Sequence, residues 1–263
     1  MRLYWELARR GYRRYAAYPA ATWAGVFTNT VFGFLQAYIL LALYRHRGHV
    51  GGYSASDTVT YVWLMQSLLM VVVVFGWTDL ALRIRSGDIA TDLARPVHPF
   101  AAGLAFDLGR AWFNVLYRGV TPFVVGALVF DVHVPASVTR WAVFAASVAL
   151  AVCVSFALRY LYNSATFWLL DFRGPMLLSV AVMTFFSGFY LPVRFFPSWL
   201  RTFTNATPFP SMFQRPADVF VGKTHGIDLL VTLAVQAGWA LALCALAVGV
   251  FAAGARRLVV QGG

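Results

Sequence analysis

Two cysteines, Cys153 and Cys244, are all that 263 residues contain. Each falls inside a long apolar run and neither has CxxC spacing, so a thiolate zinc site and a dithiol redox centre are both excluded. Acidic residues are scarce as well: ten Asp and Glu stand against 21 Lys and Arg, a formal charge of +11. All ten, Glu6, Asp57, Asp79, Asp88, Asp92, Asp107, Asp131, Asp171, Asp218 and Asp228, are expected in loops or at the ends of apolar runs. A proton- or sodium-coupled pump keeps carboxylates at membrane depth, because charge there is costly and is retained where it works. An intramembrane hydrolase with paired carboxylates needs them there too, so this placement argues against both classes and leaves an intramembrane enzyme as a third reading.

Other signals are missing. The arginines occur in short clusters beside apolar runs and form no continuous basic face, which argues against nucleic acid. His46 and His49 have a spacing that could hold a metal, but no cysteine or carboxylate is near them and they read as a solvated loop. His133 and His225 are placed outside, and His98 beside a polar insert. Gly222-Lys223-Thr224 resembles the end of a phosphate-binding loop, yet Ala217 occupies the position of its first glycine and no buried strand precedes it. The run after Arg13 and Arg14 is too long for the core of a signal peptide and is expected to stay. With no repeat, low-complexity tract or linker, residues 1–263 read as one domain.

What is abundant is apolar sequence: 60% of the residues are hydrophobic and only 12% charged, against roughly 25% charged in soluble domains. Six runs near the roughly 20 residues that span a bilayer are expected at Ala20–Tyr44, Thr58–Trp77, Ala111–Phe130, Trp141–Tyr162, Pro175–Tyr190 and Ile227–Ala253, the fifth being the shortest. Arginines of the N-terminal stretch, the insert and the C-terminus, with Arg110, Arg159 and Arg173, gather on one side. Arg45, Arg47, Arg140, Arg194, Arg201, Arg215 and Lys223 fall on the other, several in a long loop, so both termini are expected in the cytoplasm. Arg118 falls inside the third run and either snorkels inward or pairs in the bundle.

Three segments depart from span and loop. Residues 1–18 place Arg2, Arg9 and Arg13 near Glu6, with Leu3, Leu7 and Tyr15 on the opposite stripe, as in a helix lying flat on a membrane until Pro19 breaks it. Leu191–Gly226 alternates prolines with Phe, Trp and Met. It is too apolar for a solvated loop and too proline-rich for a span, so two short helices near Pro197–Phe203 and Pro210–Phe220 are expected to dip into the outer leaflet. In residues 79–100 a helix continues to Arg85, Ser86-Gly87 ends it, Asp88 caps a new turn, and Ile89 and Leu93 share one face with Asp92 and Arg95 at its border. Pro96 and Pro99 fix the return. Such a helix is either a ball for a socket in a soluble partner or a loop helix resting on headgroups.

The pattern GDIATDLARPVHPF after the second run, with SGFYLPVRFFPSWLRTFTNATPFPSMFQRPADVFVG from Ser187 to Gly222, resembles the ABC-2 type permease family, in its branch of small bacterial drug or viologen exporters. The resemblance covers essentially the whole chain. It implies an all-α membrane protein: six transmembrane helices, an N-terminal amphipathic elbow helix, a cytoplasmic coupling helix at Ile89–Leu93 and an external re-entrant helical hairpin. It implies a permease that holds no cofactor, ATP and magnesium being bound by a partner ATPase present in two copies. A second permease subunit, identical or a sister protein, completes the assembly. Docking then falls to Gly87, Asp88, Ile89, Thr91, Asp92, Leu93 and Arg95.

Polar or aromatic residues at membrane depth are the candidates for a substrate cleft: Trp63, Gln66, Asn114, Asn163, Thr184, Phe185, Phe186 and Tyr190. Each has helix packing as its alternative. A cleft of this character suits an amphiphilic or flat cationic cargo. The expected function is thus export driven by ATP hydrolysed elsewhere. A membrane anchor that recruits a soluble partner without transport is the competing reading.

Overall fold

A computed structural model of the chain describes residues 2–46, 48–75, 77–169 and 172–257. Met1, Arg47, Asp171 and residues 258–263 of the expected domain lie outside the described residues. In order, the helices are α1 (Arg2–Ala16), α2 (Pro19–Leu41), α3 (Ala55–Val72), α4 (Asp79–Ser86), α5 (Ile89–Leu93), α6 (Pro99–Asn114), α7 (Val120–Val129), α8 (Val138–Ser164), α9 (Arg173–Phe186), α10 (Ser198–Asn205), α11 (Gln214–Val221) and α12 (Ile227–Ala255). Among the described residues the only β pairing is an isolated bridge between Val50 and Tyr53.

Among the described residues five helical stretches are long and apolar enough to cross a membrane: Pro19–Tyr44, Ala55–Val72, Pro99–Val129, Val138–Phe167 and Ile227–Ala255. The fifth expected run is instead a 14-residue apolar helix, α9. At 1.5 Å per residue it reaches about 21 Å, short of the roughly 30 Å hydrocarbon core. Chain reversal comes soon after it, at Gly188, whose φ of +88° suits glycine.

Two boundaries move for identifiable reasons. α3 starts at Ala55, three residues before expectation, because Ser54 and Asp57 form a reciprocal capping box: Asp57 N–H donates to Ser54 Oγ at 3.1 Å and Ser54 N–H to Asp57 Oδ2 at 2.8 Å. The third stretch starts at Pro99, twelve residues early, because proline is preorganised for a first helical position. It passes through a π turn at Val115–Gly119 between α6 and α7. That early start corrects one expectation: Asp107 is not at a span end but buried two turns inside α6, between Arg110 and Arg159. Those two arginines are likewise interior, not flanking charges.

α3 is the central element, with nearly every side chain buried against α2, α6, α7, α8 and α11. α8 packs along α12. α1 lies along α6, closely enough that a Cβ on Gly109 would fall 1.8 Å from the Ala8 carbonyl oxygen and one on Gly11 2.1 Å from that of Phe106. Such glycine contacts are how helices approach without side chains between them. The helix ends at Ala16, and Pro19 opens α2. Arg118, in the π turn, makes no ion pair among the described residues; its guanidinium lies over Gly25 of α2.

Candidate functional site: the joint between α3 and the polar insert

A helix leaves its last four carbonyls without intrahelical partners, and inside a bundle each must find a donor. At the C-terminus of α3 every one does. Val73 N–H closes on Leu69 O at 3.0 Å. Arg110 Nη1 donates to Met70 O at 2.5 Å and its Nη2 to Val71 O at 2.9 Å. Ser155 Oγ lies 2.7 Å from Val72 O and also contacts Val73 O. Val73 itself is held at φ +52°, the only non-glycine residue with positive φ among the described residues. For a β-branched residue this conformation costs on the order of 1–3 kcal/mol and persists only where the surroundings impose it.

The donors are held in turn by charge. Asp107 Oδ1 accepts from Arg110 Nε at 2.7 Å and Asp107 Oδ2 from Arg159 Nη2 at 2.7 Å, while Arg159 Nε reaches Ser155 Oγ at 3.3 Å. One carboxylate between two guanidiniums leaves no unpaired anion in the interior, which is the condition for burying such a group. Both of its oxygens are engaged by these two guanidiniums, so Asp107 braces Arg110 and Arg159 against each other. The guanidinium of Arg159 also lies 5.8 Å from the ring centroid of Trp77, in the linker that follows. Asn163 completes the grip: its Nδ2 donates to Trp77 O at 3.0 Å and its Oδ1 accepts from Ala81 N–H at 3.0 Å, in the first turn of α4.

Beyond the linker, α4 ends at Gly87 in the left-handed conformation, φ +83°. Asp88 does not cap α5 as expected; its Oδ2 accepts from Ser86 Oγ at 2.7 Å. α5 is bound to α4 by Asp92, whose Oδ2 lies 2.6 Å from Arg83 Nη2 and whose Oδ1 lies 3.5 Å from Arg95 Nη1. The two apolar residues of α5 face opposite environments. Ile89 is 1% exposed and belongs to the main core, whereas Leu93 is 40% exposed. Gly87, Asp88, Thr91 and Arg95 are exposed with Leu93, and Asp92 is half-buried.

The residues proposed for a cleft occupy three places. Trp63 is buried among Phe34, Phe130, Gly33 and Gly126, and Gln66 bonds to the Gln36 side chain at 3.1 Å. Asn114 donates to Arg110 O one turn back, and Asn163 serves the joint. Thr184, Phe185, Phe186 and Tyr190 sit under the proline-rich segment. There Phe185 stacks on Phe196, Phe186 on Phe209, and Gln36 Nε2 donates to Tyr190 O at 2.7 Å. Gln36 bridges the first and third of these places, bonding to both Gln66 and Tyr190, while Asn114 and Asn163 lie apart; Phe185 and Tyr190 are exposed.

Above them, α10 and α11 form where two short helices are expected. They are fastened by Gln214, whose Oε1 accepts from Tyr61 OH at 3.0 Å and from Val193 N–H at 2.8 Å. Asp218 accepts from Tyr53 OH at 2.5 Å and pairs with Arg194 at 3.2 Å. Burial pushes the Tyr53 hydroxyl well above its ordinary range, so it stays a donor. Lys223 is tied to Asp57 at 2.6 Å, and Gly222 is the left-handed cap of α11.

Sequence reasoning singled out the insert, but it offered Asn163 as a cleft residue and Arg110 and Arg159 as flanking charges, placed Asp107 at a span end and passed over Ser155. The signal was there: Asp107 and Arg110 are three residues apart in a stretch that reads as helix, and Arg159 interrupts an apolar run.

A buried central helix, four further membrane-length helices and a charge-braced exit into a polar insert define a multi-pass membrane protein. Residues 30–262 match the family model described as ABC-2 family transporter protein, and the chain belongs to that family. Its members are membrane subunits of ABC transporters, not themselves catalytic, and generally work with an ABC ATPase. No curated protein and no solved structure matches the chain.

Proposed function

We propose that this permease is one transmembrane domain of an ATP-driven exporter for an amphiphilic or drug-like cargo, and that the polar insert receives the ATPase. The observation that carries this reading is the joint: α3, the most buried helix, passes into α4 through a linker gripped by Arg110, Ser155, Arg159 and Asn163. A push on α5 is transmitted to the core because Ile89 is packed there and Asp92 locks α5 to α4.

In this reading Leu93, Thr91, Arg95 and the Gly87-Asp88 turn form the docking face. α9 with its following turn is the sixth crossing, so both termini and the insert share the cytoplasmic side, α1 is the elbow, and α10 and α11 cap the outer end. Two ATPase copies, holding ATP and magnesium, serve two permease subunits, and closure of the ATPases tilts α3 and α9. The exposed Phe185 and Tyr190, beside Gln36, then line a cleft made between the subunits, with Trp63 and Gln66 behind them.

The test is reconstitution of the chain with an ABC-type ATPase that co-purifies with it. Cargo-stimulated ATP hydrolysis together with cargo movement supports the exporter. An ATPase that binds but is never stimulated by any amphiphile leaves only an anchor.

A further inference from the structure

α1, α4, α5, α6 and α8, with the linker after α3, line an open cavity of about 620 Å³ that includes the Asp107 brace. Pockets of roughly 300–1,000 Å³ hold small ligands. Six arginines line it against three aspartates, an excess of three positive charges. Arg110 and Arg159 are spent on Asp107, Arg14 is paired with Asp79 at 3.3 Å, and Arg83 and Arg95 share Asp92. Among the described residues Arg10 has no ion-pair partner, and the Nε of Arg83 is buried without an acceptor. The cavity is therefore short of anions.

It is also mixed in polarity: Leu3, Leu7, Val73, Phe75 and Phe106 line it as an apolar wall interleaved with the arginines, Leu3 and Leu7 sharing one stripe of α1 with Arg10 and Arg14, and the Arg14 guanidinium lying 5.9 Å from the Phe106 ring centroid. Leu3 and Phe75 are 49% and 41% exposed, so that apolar lining continues onto the outer surface of the chain. A soluble anion has no use for such a wall; a molecule with a phosphate head and hydrocarbon tails does. Basic pockets between helices near the membrane surface take lipid headgroups on these grounds.

We propose that this cavity binds an anionic phospholipid, the phosphodiester between Arg10 and the Arg83–Arg95 edge and the acyl chains along Leu3, Leu7 and Phe75. The bound lipid bridges α1 to the insert. The inference needs only a membrane protein and no ATPase, so it stands or falls separately from the docking of a motor.

The experiment is native mass spectrometry of the full chain in detergent, titrated with phosphatidylglycerol or phosphatidylcholine. Arg10→Gln is compared with Arg13→Gln, an equal charge loss on the same helix at an exposed residue that does not line the cavity. Wild-type protein is expected to retain one phosphatidylglycerol in preference to phosphatidylcholine. Arg10→Gln should weaken that retention about fivefold and Arg13→Gln should not. Leu7→Asp, on the apolar wall, should weaken it as well. Equal loss in both arginine variants would mean diffuse surface attraction and would overturn the site. So would displacement of the lipid by millimolar inorganic phosphate, which would make it a free-anion site, or the absence of any preference for phosphatidylglycerol.

Discussion

Asn163, near the end of α8, accepts a hydrogen bond from the backbone N–H of Ala81, 82 residues away in α4, at 3.0 Å. A helix start has free N–H groups, and here one is satisfied by a neighbouring span and not by a local cap: Thr78, at the cap position, makes no such bond. The insert is thus anchored to the bundle at its first turn.

Asn163→Leu removes the bonds to Ala81 and Trp77, with a third to Arg159 O; Ala81 N–H is left without a partner, while Trp77 O keeps only Tyr162 OH at 3.3 Å. A cost of about 2–3 kcal/mol is expected, because buried groups left unsatisfied cost more than the bond gained. Thermal unfolding in detergent measures the loss. Faster hydrogen exchange confined to residues 77–86 would place it at the joint, whereas uniform exchange would not.

Asp107→Asn leaves two guanidiniums buried without a counter-charge. Removal of one partner from a buried ion network costs about 3–5 kcal/mol. Replacing Asp107, Arg110 and Arg159 together with apolar residues should recover part of the fold's stability but not the capping of Met70 and Val71, so the end of α3 frays. Denaturation of the single and triple variants, with exchange at residues 70–73, separates the two effects.

At the insert, Leu93→Asp and Ile89→Asp should differ, although their spacing makes them look equivalent. Leu93 is exposed, so its variant is expected to fold as wild type and lose stimulation of the ATPase. Ile89→Asp buries a carboxylate in the core and should lower the unfolding midpoint as well. Matched melting curves with normal coupling in Leu93→Asp would remove that residue from the docking face.

Gly109→Ala should drive α1 off α6, since the added methyl would sit 1.8 Å from backbone that cannot yield. Gly103→Ala is the control, because its nearest neighbour, 3.0 Å away, is the tip of the Phe156 ring. Protease sensitivity of residues 2–16 should rise in the first variant only.

The architecture was largely legible, since apolar runs of membrane length and the proline-bearing insert are statements about composition and spacing. What escaped is tertiary. Asp107 was placed at a span end because the apolar run begins after it, but Pro99 can start a helix wherever the backbone permits, and the helix ran through the polar residues. Asp88 reads as a cap, yet nearby Ser86 offers a hydroxyl that competes for its carboxylate. Ile89 and Leu93 lie four residues apart in a helix too short for one shared face to decide both, and the neighbouring core claims only the first. The fifth run was recognised as the shortest, but where the helix stops depends on Ser187-Gly188, which pack against Tyr61 and Gln214 far away in sequence.

Val73 is where the chain leaves the helical path of α3. An α-helix turns about 100° for each residue added, so the residue at which it stops fixes the bearing on which the following segment departs. Arg110 and Ser155 occupy the carbonyls of Val71 and Val72 that one more turn of helix would need, and in doing so they set that bearing for α4.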